Sequence, residues 1–270
     1  IIKNIKASIA QLMKFILFKL SASNSLAFIA YCKWIYAPKP QTVEAFIDQI
    51  SNGQKRFFVI QVGANDGITH DPLHRFIKRD NWQGLLLEPQ PWVFAQKLVP
   101  IYTRNKEIVP INAAVGYESG ETDLFQLSFS NQRWATGLAR FDRSSLEALI
   151  ANGNIERRAK KNGITLPPNK SDWIKSVRIK VMSPAELIKK YNVELIDLLM
   201  IDAEGFDFEI VKMFLAENPK PMALAFESFH FDKSVQDECS LLLEKHGYRF
   251  KTAGPNTLAW QKPLDHLVQD

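Results

Sequence analysis

The sequence predicts an α/β protein built on a mainly parallel sheet, on three observations. LIDLLMID, residues 195–202, is nearly all apolar, as expected of a strand covered on both faces. Short apolar runs alternate along the chain with segments of helical period. YRFKTAGPNTLAW, residues 248–260, reads as a closing hairpin with its turn around Gly254 and Pro255, which adds one reversed strand.

The elements follow in order. A helix is expected over Thr42 to Ile50, then a strand over Phe57 to Val62, β-branched and aromatic and bounded by glycine. GANDG follows, and then a helix whose Leu73, Phe76 and Ile77 share one face, with Asp71 as N-cap and Pro72 at its first position. GLLLEP is the next strand, a helix starts near Trp92, and IVPINAAVG, residues 108–116, is one further strand with Pro110 near its centre. Between Tyr117 and Lys180 regularity lapses, although LFQLSF reads as a strand and Ser144 to Asn152 as a helix. Order resumes at SPAELIKKY, where Ser183, Pro184 and Glu186 form a capping-box start. EIVKMFLAENP is a helix ended by Pro219, MALAFESF a buried strand, and Gln236 to His246 a helix closed by Gly247.

Charge divides the chain. Residues 1–43 carry six lysines and no acid, so the net charge of +5 belongs largely to this extension. On a helical wheel, IIKNIKASIAQLMKFILFKL gathers Ile1, Ile2, Ile5, Ile9, Leu12, Met13, Ile16 and Leu20 on one face, as in a basic amphipathic helix. Lys14 and Lys19 interrupt every window long enough to cross a bilayer, and the segment makes a poor signal peptide. Two partners are open for residues 1–20: a protein surface, from the same chain or a second subunit, or the face of a membrane. The expected division is a basic helical extension over 1–40 and one domain over 41–270, with a basic insert at about 117–180. From Arg140 to Lys180 that insert has ten Lys/Arg against four acids. Cys32 and Cys239 form no CxxC pair and no disulfide framework. The expected compartment is therefore the cytoplasm, with the inner membrane surface as the place of any peripheral attachment.

In parallel sheets ligands collect beyond the C-terminal strand ends. Those ends carry Gln61 to Gly67, Glu88-Pro89-Gln90, Asn112 to Gly116, Asp202 to Gly205, and Glu227 to His230. An acid directly after a strongly apolar run must be paired, hydrated or in use. Glu88 lies 21 positions after Gly67, where a carboxylate can accept from both hydroxyls of a ribose. The glycine loop lacks the third glycine of G-x-G-x-x-G and the Lys-Ser/Thr ending of a P-loop. A nucleoside with a small polar tail suits it better than a di- or triphosphate, and S-adenosylmethionine answers that description.

VIQVGANDG, LLLEP, INAAVG and IDLLMIDAEGFDFEIVK, in this order, resemble the FkbM family of S-adenosylmethionine-dependent methyltransferases, over roughly Phe57 to Phe229. The most specific part is IDAEGFDFEIV, in which Asp207 or Glu209 stands near the family's later acid. The resemblance implies the three-layer, Rossmann-like class I methyltransferase fold with a seven-stranded sheet, and an acceptor hydroxyl on a sugar or polyketide. It implies that Gly63, Ala64, Asn65, Asp66 and Gly67 pass under the methionine part of the cofactor and that Glu88 holds the ribose. Pro89 and Gln90 would flank the adenine, Asn112 and Ala113 would lie near its edge, and Asp71 would reach the methionine amino group or cap its helix.

For methyl transfer to a hydroxyl, the candidate catalytic residues are Asp202, Glu204, Glu227 and His230. In one reading His230 or a carboxylate is the general base and a second carboxylate orients it. In the other, Asp202 and Glu227, with Glu204 or His230, bind Mg²⁺, which lowers the pKa of a sugar hydroxyl. Trp134 and Trp173 are candidates for stacking on a sugar, and Arg157, Arg158, Lys160 and Lys161 for a phosphate. A glycan or glycolipid precursor is the expected acceptor. Nucleic acid is the less expected partner, since the chain shows no NPPY-like tetrad and no recognisable RNA-binding module. The alternatives are an RNA methyltransferase with the basic insert as its RNA face, and a non-catalytic cofactor-binding scaffold in polysaccharide assembly.

Overall fold

The computed structural model describes residues 15–16 and 18–268. The amphipathic-helix expectation for residues 1–20 thus falls largely outside the described residues.

Seven strands form one sheet: β1 (Phe58–Val62), β2 (Gln83–Leu87), β3 (Ile108–Ile111), β7 (Leu198–Ile201), β8 (Ala223–Glu227), β9 (Tyr248–Ala253) and β10 (Asn256–Gln261). Their order is β3-β2-β1-β7-β8-β10-β9. The first five are parallel, and β10 runs antiparallel to both of its neighbours. Alternate side chains of each strand feed opposite faces. Ile60 and Val62 join Phe208, Val211 and Phe214 of helix Asp207–Ala216 on one side. Val59 joins Phe46, Ile47 and Ile50 of helix Val43–Ser51 and Phe76 and Ile77 of helix His74–Asp80 on the other. Helices on both faces make the three layers that the alternating pattern requires.

Strand order reverses between β1 and β7, the switch point beside which a crevice opens. Register places the site there. Val62 is level with Leu87 of β2 and with Ile201 of β7, so Gly63, Glu88 and Asp202 leave the sheet side by side.

Three expectations need correction. Residues 108–116 are not one strand: the chain breaks at Asn112-Ala113 after β3, and β4 (Ala114–Val115) joins a second sheet. Proline at position 110 fits because β3 is an edge strand of the main sheet. The stretch from 117 to 180 is regular. β5 (Gly120–Leu127) pairs along its length with β6 (Ile174–Met182), which also pairs with β4. Helices Arg143–Ala151 and Asn154–Lys161 help cover a separate small core that includes Leu127, Leu146, Ile155 and Trp173. Both long strands face solvent on one side, which gave them a polar composition. Finally, the helix expected from Pro72 begins at His74. Asp71 Oδ1 still accepts from the N–H groups of Leu73 and His74, at 2.8 and 3.2 Å.

The described part of the extension packs on the domain. Phe28 and Cys32 of helix Leu26–Trp34 are buried. Ser21 Oγ lies 2.9 Å from His74 Nε2, and Lys78 Nζ donates to Asn24 Oδ1 at 2.6 Å. Among the described residues, no helix is long and apolar enough to cross a membrane.

Candidate functional site

A cleft of about 310 Å³ opens at the strand ends, lined from β1, β2 and β7 below and by the segment from Arg133 to Ser145 above. On one side, Glu88 organises the backbone. Its Oε2 accepts from the N–H of Asn65 at 2.9 Å, and its Oε1 from the N–H of Gln90 at 2.8 Å and from Gln90 Nε2 at 3.1 Å. Burial pushes this carboxyl up to about 7, against the pull of those hydrogen bonds and of Arg133. Gln90 Nε2 also donates to the carbonyl of Thr136 at 3.0 Å, and Thr136 Oγ1 to Asn65 Oδ1 at 3.3 Å, which fastens the overhanging segment to the loop below.

Gly63, at φ +86°, is required by its own chain, because a Cβ there would stand 1.9 Å from the carbonyl oxygen of Asp202. Gly67 is tight for a different reason: its absent Cβ faces Leu98 and Tyr102 in the core. Gly63, Asn65, Glu88, Pro89, Gln90 and Ala113 line the cleft. Gln61, Ala64, Asp66, Gly67, Asp71 and Asn112 do not, and several of these shape it from behind. Asp66 Oδ1 accepts from the N–H groups of Ile68 and Thr69. Asn112 Nδ2 donates to the carbonyls of Glu88 and Pro89. Asp71 is pushed up to about 6 by burial, against the pull of the Leu73 and His74 N–H groups and of the Gln61 side chain.

The other side is a set of charges in looser geometry. Asp202 and Glu204 line the cleft, whereas Glu227 and His230 stand beside it. His230 Nδ1 is 4.0 Å from Glu227 Oε2, and its Nε2 lies 4.0 Å from the Cβ position of Gly205. Desolvation, then the charge of Asp202, raises both Glu204 and Glu227 to about 7, and Asp202 itself is raised by burial. Asp207 underlies the loop: fully buried, it accepts from the N–H groups of Ala203 and Gly205 at 3.3 and 3.1 Å. Glu209, two residues on, instead meets Tyr117 and Lys212. Among the described residues, no three His, Cys, Asp or Glu side chains are grouped to hold a metal ion, so the structure lends the Mg²⁺ reading no support.

Sequence reading missed Arg133 and Arg140. Arg133 Nη2 is 3.8 Å from Asp202 Oδ2, and Arg140 Nη2 is 3.3 Å from Glu204 Oε2. The Nε atoms of both arginines are buried without a hydrogen-bond partner. Gly137 makes room for the first, since a Cβ there would lie 2.1 Å from Arg133 Nη1. RWATGLAR held the signal, two arginines bracketing a glycine, but the basic residues are denser at 157–161. None of Arg157, Arg158, Lys160 and Lys161 lines the cleft. Trp173 is buried in the insert core with its Nε1 bonded to the Pro167 carbonyl, and Trp134 packs against the same core. The aromatic pair at the cleft is Phe141 and Phe206, edge to face at 5.9 Å.

A family model described as the methyltransferase FkbM domain matches residues 61–250. Among solved structures, the methyltransferase FkbM from Methylobacillus flagellatus KT is 14% identical with a TM-score of 0.45, covering 76% of this chain and 44% of that one. The chain therefore spans less than half the length of that protein. The METTL16 MTase domain is 13% identical with a TM-score of 0.43, covering 84% of this chain and 69% of that one. The N-terminal domain of human METTL16 in complex with SAH is 12% identical with a TM-score of 0.41, covering 84% and 72%. No curated protein matches the sequence.

Proposed function

The chain belongs to the FkbM-domain family of S-adenosylmethionine-dependent methyltransferases, and from that premise we propose that it methylates a hydroxyl group of a sugar, in a glycan or glycolipid precursor. The observation that carries this reading is the rim of alternating carboxylates and guanidiniums, Asp202 with Arg133 and Glu204 with Arg140, facing the nucleoside side of the cleft. Side-by-side acceptors and donors suit a molecule rich in hydroxyls, and the Phe141–Phe206 pair offers an apolar face for a sugar ring.

The residues fit the cofactor on charge. Glu88, Asp142, Asp202 and Glu204 face the cleft against Arg133 and Arg140, an excess of negative charge that suits a sulfonium. In this reading Glu88 holds the ribose, Pro89, Gln90 and Ala113 border the adenine, and Gly63 and Asn65 border the methionine part. Bound there, S-adenosylmethionine supplies a methyl group already activated for displacement.

Alignment and deprotonation of the acceptor are left to this chain. Glu204, raised to about 7 and lining the cleft, is the base we assign to the acceptor hydroxyl. A proton acceptor poised near neutrality is the most effective kind at physiological pH. Arg140 holds its carboxylate and its backbone carbonyl. Asp202, kept in place by Arg133, receives a neighbouring hydroxyl and fixes the angle of approach.

The test starts with calorimetry of S-adenosylmethionine on the wild type and Glu88→Ala, with Mg²⁺ and with EDTA. Radiolabelled methyl transfer to glycan, glycolipid and RNA extracts then identifies the acceptor. Glu204→Gln should lower the chemical step by about 10²–10⁴-fold while leaving cofactor affinity within about threefold. Label entering RNA alone would overturn the sugar reading, and absence of cofactor binding would point to a scaffold.

A further inference from the structure

We propose that the described residues between 15 and 39, together with Trp92, form a docking surface for a bilayer rich in anionic lipid. Helix Leu26–Trp34, LAFIAYCKW, has one polar residue, Lys33, and so lacks the polar face of a surface helix. It buries Phe28 and Cys32 against the domain, with the Phe28 ring 5.6 Å from that of His74. Its other side is bare. Leu26, Trp34 and the following Ile35 are 83%, 76% and 72% exposed, the most exposed large apolar side chains among the described residues, and all fall within one short segment. Phe15, Ile16, Leu20 and Tyr31 are exposed as well. Apolar surface concentrated in this way marks an interaction site.

Charge selects the partner. Lys19, Lys33 and Lys39 are exposed in this segment, and residues 1–43 contain no carboxylate. The cations stand beside the exposed rings: Lys19 Nζ is 5.4 Å from the centroid of Phe15, and Lys33 Nζ 6.0 Å from that of Trp34. Lys97 lies between Phe18 and Trp92, 6.0 and 5.5 Å from their centroids, and so joins the extension to the helical run that follows Gln90. Aromatic rings with lysines beside them suit the boundary between acyl chains and anionic headgroups. A second copy of the chain is the poorer occupant, because a two-fold contact would set lysines on lysines with no acid to receive them. The surface also reaches the cleft, since Trp92 is two residues beyond Gln90 of its lining.

The experiment is co-sedimentation of the full chain, without cofactor, with vesicles of phosphatidylcholine alone or mixed with phosphatidylglycerol, at low and high salt. It is independent of the methyl-transfer reading. The wild type should partition onto the mixed vesicles, at least about tenfold more than onto the neutral ones, and be released by salt. Trp34→Ser with Ile35→Ser should lose at least about tenfold in partition, and Lys19→Gln with Lys33→Gln should flatten the salt dependence. Leu241→Ser, at a similarly exposed leucine on helix Lys233–Lys245, should bind as the wild type does. Unchanged melting temperatures would confirm that all variants fold. Wild type left in the supernatant with every vesicle, or equal binding by the Trp34/Ile35 variant, would overturn the proposal. So would a wild-type dimer that the same variant converts to monomer, since the surface would then belong to a second copy.

Discussion

The two sides of the cleft are built differently. On the side of β1 and β2, Glu88 is 2% exposed and its carboxylate accepts three hydrogen bonds. On the side of β7 and β8, the side chains of Asp202, Glu204 and Glu227 are 28% to 42% exposed, their closest ion pairs lie at 3.3 to 4.0 Å, and two arginine Nε atoms lack partners. The first side is arranged before any ligand arrives, so little rotamer freedom remains to be lost on binding. The second holds its charges in longer, partly solvated pairs, which leaves their oxygens open to hydrogen bonds from an acceptor. Under the proposed function, the rigid side holds the constant ligand and the looser side the variable one.

The most direct way to break this comparison is to strain the rigid side at its seam. Gly63→Ala adds a Cβ 1.9 Å from the Asp202 carbonyl, on backbone rather than on a side chain that could swing away, and at a φ of +86° that alanine disfavours. β1 and β7 must then part at the one place where both sides of the cleft meet. We expect turnover to fall by about 10²-fold or more, with a lower melting temperature in thermal denaturation. Wild-type turnover in Gly63→Ala would show that the seam is soft and that the two sides are not held in fixed relation.

A narrower change sharpens the comparison. Glu88→Gln keeps the shape but places an amide NH₂ where the carboxylate accepts from backbone N–H groups on both oxygens. One donor must then face another. Hydrogen bonds to a charged group are worth about 1.5–3 kcal/mol each, so cofactor affinity measured by calorimetry should weaken by about ten- to a hundredfold. The KM for the acceptor, extrapolated to saturating cofactor, should stay within about twofold. An equal loss in both quantities would mean that the two sides are one unit.

Legibility in the sequence followed the same divide. Strands buried on both faces announce themselves by continuous apolar runs, and the acids that end them, Glu88, Asp202, Glu204 and Glu227, were readable because a charge after such a run is costly. The roof of the cleft was hidden for the opposite reason. β5 and β6 are half solvated, their pairing spans a long separation in sequence, and Arg133 and Arg140 become site residues only once the insert folds back over Asn65 and Gln90. Gly63 was legible as a constrained position but not for its cause, since its neighbour is Asp202, far along the chain. Trp173 misled because the insert has a core of its own, and a sequence does not say which of two cores a tryptophan enters.

The smallest effect concerns pH, and its sign is the informative part. Glu88, Glu204 and Glu227 rise from an ordinary 4.5 to about 7 in the folded protein, mainly through desolvation. Between those values the folded state binds more protons than the unfolded one, so stability falls as pH rises from about 4.5 through 7. Without ligand, the melting temperature should therefore drop between about pH 5 and 8. A bound sulfonium reverses the trend, because it favours the ionised carboxylates. Stabilisation by S-adenosylmethionine should grow over the same interval, and more steeply than that by S-adenosylhomocysteine, which is uncharged at sulfur and keeps only the ribose hydrogen bonds to Glu88. Glu88→Gln should remove part of the slope and Glu204→Gln another part. If instead the slope is unchanged in both variants, the burial of these carboxyls is not what couples the cleft to protons, and the two sides differ in geometry alone.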